Sequence, residues 1–439
     1  MKQLRSIELF AGAGGLALGL ERAGFSPMVL VERDPAACDV LRRNLASPNG
    51  PFSGAEVLDK SVEDVDWANT VADAPDLLSG GPPCQPFSLG GRHRAHEDDR
   101  DMFPAAANAV RQLMPRAFVF ENVRGLARPE FAGYLSYLQA LLSWPSIVRR
   151  SDEDWSEHYA RIRKVTGNVA HGTGGEYLVT VHSADAADYG VPQRRRRVFI
   201  IGARQDQIGS WKFPEPTHDR TRLEYEKWVS GRYWEQHPHA VRIGRPRDAS
   251  LKKLEEIAEM SDTAAHARWN TVRDALKDLP DPRLRPSNQW AQHEYLAGAR
   301  TYPGHTGSEW DQPAKTLKAG SHGVPGGENM VRHANGRVRY FTIREAARIQ
   351  TFPDTFELAS KWGRALHQLG NAVPVAMAEV IGASLAAFLE SHPAKNSQTD
   401  LETLNSLASA DVGVSTTKAT RRNTRTSLPI SVMTLGETP

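Results

Sequence analysis

The stretch Ser6-Ile7-Glu8-Leu9-Phe10-Ala11-Gly12-Ala13-Gly14-Gly15-Leu16-Ala17 decides the fold. A short apolar run, Ser6–Phe10, ends in a glycine-rich turn that opens a helical pattern over Gly15–Ala23. Glycine permits the tight turn and lets backbone N–H groups approach a ligand closely. A second apolar run, Met28–Val31, follows, and Glu32 stands at its end, twenty positions after Gly12. That is the place of a ribose-binding carboxylate in a βαβ nucleotide unit. The spacing also satisfies a G-x-G-x-x-A fingerprint. The loop alone therefore suits NAD or another adenosine-containing ligand, with a plain glycine turn before a helix as the bland alternative.

Working outward, further short apolar runs occur at Asp76–Ser79, Ala117–Phe120, Tyr177–Val181 and Val198–Ile201. Helical patterns fall between them at Pro35–Leu45, Ala105–Met114 and Phe131–Leu142. Alternating strands and helices predict a doubly wound α/β fold, its mostly parallel sheet covered on both faces. From about Arg204 to Arg337 the periodicity dissolves into proline, glycine and scattered aromatics, with helices expected only at Leu251–Met260 and Thr271–Leu276. Helical signal returns at Thr342–Gln350 and Ala372–Leu389. The expected division is a catalytic and cofactor-binding part over 1–203, an inserted irregular part over 204–337, a return over 338–392 and a disordered tail over 393–439. The Ser151–Lys164 stretch reads as a polar insertion between two strands.

Composition narrows the class. Lys+Arg 54 against Asp+Glu 52 gives a net charge of +2, with 40% hydrophobic residues, as in an ordinary globular chain. Any nucleic-acid binding must then come from local patches. Cys38 and Cys84 are the only cysteines, which excludes a disulfide framework and any multi-cysteine metal centre. No metal is expected. The absence of a long apolar run and of a signal-peptide pattern leads to the expectation of no membrane span and a cytoplasmic setting.

The sharper signal is Gly81-Pro82-Pro83-Cys84-Gln85-Pro86-Phe87-Ser88, just beyond the Asp76–Ser79 strand. Three prolines stiffen it. It puts a thiol at the carboxyl end of a parallel strand, where α/β folds bind ligands. A P-C-x-x-C zinc-deaminase element is excluded because Phe87 stands where the second cysteine would be. Cys38 lies in a helical run and reads as core.

With these residues in view, the chain to about residue 390 resembles the cytosine-C5 DNA methyltransferase family, of the bacterial restriction-modification type. The motifs stand in the family's order: Phe10–Gly15, Glu32, Pro82–Ser88, Glu121-Asn122-Val123, Gln193-Arg194-Arg195-Arg196-Arg197, Thr342–Gln350 with Phe352-Pro353-Asp354, and Gln368–Pro374. The resemblance implies an S-adenosylmethionine-dependent, Rossmann-like methyltransferase fold with an inserted target-recognition domain, and DNA (cytosine-5-)-methyltransferase activity. It implies S-adenosyl-L-methionine held by Phe10, Gly12, Gly14, Gly15, Leu16, Glu32, Val62, Pro82 and Asn371. One departure is Asp59-Lys60-Ser61-Val62, where Ser61 occupies the place of the family's adenine-side aspartate. Longer stretches precede the arginine run and cover Phe213–His266.

The same resemblance implies a covalent route through Cys84 as nucleophile. Glu121 is the candidate partner for cytosine N3, a role best served by burial. Strand alternation puts Arg195 and Arg197 on one face, toward the site, and Arg194 and Arg196 on the other, toward solvent or the DNA backbone. The base must be rotated out of the duplex, and Gly90-Gly91-Arg92-His93-Arg94 is the candidate lid. Gly231–Lys253 carries six Lys/Arg against two Asp/Glu, with Tyr233 and Trp234 interleaved, as a DNA-facing basic patch, while tryptophan and histidine in this region read equally as local core or as DNA contacts. Pro313-Ala314-Lys315-Thr316-Leu317 resembles a family segment near the everted base. The partners implied are double-stranded DNA and a cognate restriction endonuclease acting separately, for a monomeric enzyme. The rivals are an RNA-directed member of the family, an NAD-dependent oxidoreductase and a non-catalytic DNA-binding regulator.

Overall fold

A computed structural model describes residues 3–83, 101–167, 175–207, 211–242, 244, 246–260, 266–284, 290–303, 305–319 and 327–392. Cys84, the Gly90–Arg94 lid candidate and the tail from Pro393 lie outside the described residues.

The central sheet comprises β1 (Leu4–Leu9), β2 (Phe25–Glu32), β3 (Glu56–Asp59), β4 (Leu77–Gly80), β5 (Ala117–Val123), β6 (Tyr177–Asp185) and β7 (Arg196–Arg204). Their spatial order is β3-β2-β1-β4-β5-β7-β6. The strands β3, β2, β1, β4 and β5 run parallel, while β7 is antiparallel to both β5 and β6. The reversal follows from connection length: only residues 186–195 separate β6 from β7, too few for the crossover that parallel strands need. The chain leaves β1 toward β2 on one side and later returns to β4 on the other. This is the switch point where open α/β sheets bind ligands at their carboxyl edge.

Both faces are covered because the strand residues alternate. In β5, Phe118 and Phe120 enter one core with Phe103, Val110 and Leu138. Ala117 and Val119 enter the other with Leu16, Met377 and Leu385. The first core lies under α4 (Phe103–Leu113) and α5 (Ala132–Ser143). The second lies under α1 (Gly15–Arg22) and α13 (Val375–Ser391). The last two helices touch almost backbone to backbone. A Cβ on Gly19 would stand 2.4 Å from that of Ala378 and 2.5 Å from the Val375 carbonyl. The C-terminal return thus closes the fold against its first helix. The helical stretch Trp362–Ser391 is apolar and long enough to cross a membrane, yet 61% of that window is buried in the protein. It is a core element.

The structure refines three expectations. The helix read from Ala372 begins at Val375, after Pro374, and is preceded by a separate α12 (Trp362–Asn371). The polar Ser151–Lys164 stretch contains α6 (Trp155–Val165), capped by reciprocal Asp154 and Glu157 bonds. Tyr233 and Trp234 are not DNA-facing. They are buried with Leu223, Trp269 and Ala187 in a local core, where aromatic area is worth more than at the surface.

Candidate active site

The chemistry gathers at the carboxyl edge of β1, β2, β4 and β5. At the end of β1 the backbone turns left-handed at Phe10 (φ 54°), Gly12 (φ 55°) and Gly14 (φ 80°). A non-glycine residue in that region is uncommon and is sustained only by its surroundings. Here Glu32 provides the support: its Oε2 accepts from the Gly12 amide at 2.8 Å, and its Oε1 from the amides of Arg33 and Asp34 at 2.8 and 2.7 Å. The acid identified from spacing therefore fixes the glycine turn. A carboxylate has about four acceptor positions, so capacity remains for ribose hydroxyls.

A cleft opens there, lined by Phe10, Val31, Glu32, Arg33, Lys60, Ser61, Val62, Pro83 and Met102. Its apolar walls suit a planar base, and Glu32 a sugar. Ser61 heads a short helical turn without capping it and lines the cleft. The open space around a Cβ position on Gly12 leaves the turn accessible. These residues fit an adenosine-containing cofactor.

Three of the residues expected at the cofactor, Phe10, Glu32 and Val62, line the cleft. Gly12 and Gly14 shape the turn. Gly15 packs on the far side, where its Cβ would lie 2.4 Å from the Val373 carbonyl. The Leu16 side chain is core. Pro82 is buried and outside the cleft lining, which Pro83 joins. Asn371 is exposed at the end of α12 and outside the cleft lining. Pro83, Met102 and Arg33 were missed by sequence reasoning, because only the folded chain brings Met102 back to the turn: its amide donates to the Pro83 carbonyl at 3.4 Å. Cys38 is no second nucleophile, since burial pushes its thiol up to about 12.

Glu121 and Asn122 close the buried part of β5, beside the turn that precedes Cys84 in the chain. A Cβ on Gly81 would lie 3.5 Å from Glu121 Oε2. The neighbouring Asn122 Nδ2 donates to the Pro82 carbonyl at 3.0 Å and so ties strand to turn. Arg197 Nε stands 2.6 Å from Glu121 Oε1, with side-chain exposures of 13% and 9%, a largely desolvated ion pair. Among the described residues that oxygen nonetheless has no aligned hydrogen-bond donor. A buried acceptor held beside a charge and left unsaturated is suited to a polar ligand.

The arginine run divides as alternation predicts. Arg197 meets Glu121. Arg195 is wholly buried: Nη2 donates to the Gly370 carbonyl at 2.8 Å and Nη1 to that of Leu317 at 3.4 Å. Burial, reinforced by neighbouring Arg197, holds its guanidinium well below the usual arginine range, with Glu121 opposing. On the other face, Arg194 and Arg196 both donate to Asp185 Oδ2, at 2.6 and 3.2 Å. The Arg194 guanidinium also lies 4.6 Å over the Trp269 ring. Arg196 is exposed to solvent and Arg194 half-buried, as expected of this face, and both are held by Asp185.

Beneath the glycine turn, Glu8 is completely buried. Desolvation raises it to about 8, while bonds from Ser79 and the Ala17 amide pull the other way.

Comparison with known proteins agrees with this geometry. The family model described as C-5 cytosine-specific DNA methylase matches residues 4–142 and 159–387. The Type II methyltransferase M.PspPI of Psychrobacter sp. is 32% identical over 391 residues, 88% of this chain and 80% of that protein. The Type II methyltransferase M.NgoMIV of Neisseria gonorrhoeae is 29% identical over 88% of this chain and 99% of that protein. The crystal structure of the S. pombe Dnmt2 methyltransferase shares the fold, with a TM-score of 0.50 and 16% identity over 88% of this chain and 99% of that one. The chain belongs to the C-5 cytosine-specific DNA methylase family and is a DNA (cytosine-5-)-methyltransferase whose cofactor is S-adenosylmethionine.

Proposed function

We propose that the enzyme methylates C5 of a cytosine everted from duplex DNA, through a covalent bond to Cys84. The observation that carries this reading is Glu121, buried and paired with Arg197, beside the Gly81-Pro82-Pro83 turn that immediately precedes Cys84 in the chain. Carbon 5 is a poor nucleophile. Addition of the Cys84 thiolate to C6 forms an S–C bond and makes C5 enamine-like, while a proton from Glu121 to N3 neutralises the developing charge. The bound cofactor supplies an electrophilic methyl group on a sulfonium. Once C5 has taken the methyl, loss of the C5 proton to a base expels the thiolate, and N3 returns its proton to Glu121, which restores the ring and the acid. Arg197 holds the Glu121 carboxyl in place and, with Arg195, supplies positive potential to the site. Phe10, Glu32 and Val62 are assigned to the cofactor, with Gly12 and Gly14 shaping the turn it approaches, whereas Gly15, Leu16, Pro82 and Asn371 lie outside the cleft lining.

Residues 204–337 form the target-reading part, 1–203 and 338–392 the catalytic part, and 393–439 a tail. The names of the relatives, Type II methyltransferases, support a restriction-modification setting; a separate endonuclease that cuts the unmethylated site, a monomeric enzyme and a cytoplasmic location complete the proposal. Bisulfite sequencing of DNA from a methylation-free bacterial host expressing the chain tests the reading. Methylated cytosines within one short sequence are expected, and none with Cys84→Ser. Methylation undiminished by that substitution contradicts it.

A further inference from the structure

The arginine run, the Pro313–Leu317 segment and the C-terminal motif are joined by a buried polar bracket. Gln193 is fully buried. Its Oε1 accepts from the Leu317 amide at 2.8 Å, and its Nε2 donates to Gln350 Oε1 at 2.9 Å. Gln350, also fully buried, donates onward to the Leu369 carbonyl and, at 3.1 Å, to that of Ala372. Thr316 Oγ1 donates to the Arg194 carbonyl at 2.6 Å, and Arg195 spans the carbonyls of Leu317 and Gly370. The next residue after Gln350, Thr351, is held at φ 61°, a genuine outlier for a β-branched side chain. Its hydroxyl bonds the Gln350 carbonyl and the Ala376 amide at 2.7 and 2.9 Å.

The bracket touches both halves of the reaction. On one side, a Cβ on Gly370 would lie 2.3 Å from the Ala319 amide nitrogen, so the Leu317–Ala319 backbone is pressed onto the end of α12. Three residues later, the Val373 carbonyl is pressed onto Gly15 of the cofactor turn. Movement of Gly15, unlike the open Gly12 end of the turn, therefore presses directly on the Val373 carbonyl, and close-packed interiors transmit such strain.

We propose that Gln193, Gln350 and Thr316 are positioning residues that couple cofactor occupancy at the glycine turn to the grip of the Pro313–Ala319 segment on DNA. The proposal rests on the reading of residues 204–337 as the DNA-facing part. The hydrogen-bonded bracket makes the two segments shift as one, so each ligand favours the other by the same factor.

The test measures duplex affinity of the full chain with and without S-adenosylhomocysteine, using a fluorescein-labelled duplex that carries the sequence found methylated. For the unaltered protein the cofactor product is expected to tighten DNA binding roughly tenfold. In Gln193→Met and in Thr316→Val that factor should fall below about twofold, while S-adenosylhomocysteine affinity without DNA is retained. A merely structural role would lower both affinities and leave their ratio intact. If Gln193→Met no longer binds S-adenosylhomocysteine, the gentler Thr316→Val decides. Full coupling in Thr316→Val, or none in the unaltered protein, overturns the proposal. Lys315→Ala and Lys318→Ala separate the two readings: they should weaken DNA binding and flatten its salt dependence. If they change neither, the DNA-facing assignment fails whatever the coupling shows.

Discussion

The Glu121 carboxylate and the Arg197 guanidinium face each other 2.6 Å apart across the β5–β7 junction, where Val123 pairs with Arg197 in the strand register. The contact is largely desolvated, and so both partners are difficult to replace. Removing one partner of such a buried pair leaves an uncompensated charge, at a cost of roughly 3–5 kcal/mol.

Glu121→Gln keeps the shape and removes the proton donor. Its kcat for methyl transfer should fall about 10²–10⁴-fold, the range for a lost general acid, with little change in KM for the cofactor. Arg197→Ala should lower kcat and also the melting temperature. Radiometric methylation assays and thermal unfolding of both variants check the pair; a fully active Glu121→Gln excludes the role.

Glu8 makes stability pH-dependent. Its folded value is raised to about 8 from an ordinary 4.5. Between those values the native state holds a proton that the unfolded chain has released, so stability falls as pH rises and levels off above the folded value. Glu8→Gln should remove that slope and raise the melting temperature near pH 8, on the order of a few kcal/mol of stability. Melting curves of both proteins across the window check this; parallel curves contradict it.

Glu32→Gln should weaken S-adenosylhomocysteine binding about tenfold or more, an estimate for hydrogen bonds to a charged group. One of the two oxygens that now accept from Gly12, Arg33 and Asp34 becomes a donor facing donors. Titration calorimetry measures the loss.

Gly19→Ala tests the closure of the fold. The added methyl would meet Ala378 and the Val375 carbonyl at 2.4 and 2.5 Å, where backbone cannot yield. A loss of about 1–3 kcal/mol, typical of overpacking, should appear in denaturant unfolding.

Much of this arrangement was legible in the primary structure because its signals are local. The Ser6–Ala17 stretch, Glu32 and the strand before the Pro-Pro-Cys turn each declare themselves within a few residues. The strand β3 did not, since Glu56 and Asp59 flank only two apolar residues at the sheet edge. The helix α6 hid in a charged stretch because it buries only His158 and Ile162 completely, with Trp155 half covered. The Gln193–Gln350 bond spans 157 positions; no spacing rule reaches that far. Asp185 escaped notice for a similar reason: its claim on Arg194 and Arg196 emerges only when β6 folds back on β7.

The account stands on the Cys84 sulfur bonding to carbon 6 of an everted cytosine. A duplex carrying 5-fluorocytosine at the methylated position blocks loss of the C5 substituent and should arrest the enzyme as a covalent complex in the presence of S-adenosylmethionine. Protease digestion and mass spectrometry are predicted to place the crosslink on the peptide containing Cys84, with none in Cys84→Ser. A crosslink on another residue, or methylation of the unmodified duplex by an enzyme that forms no adduct, would contradict the mechanism.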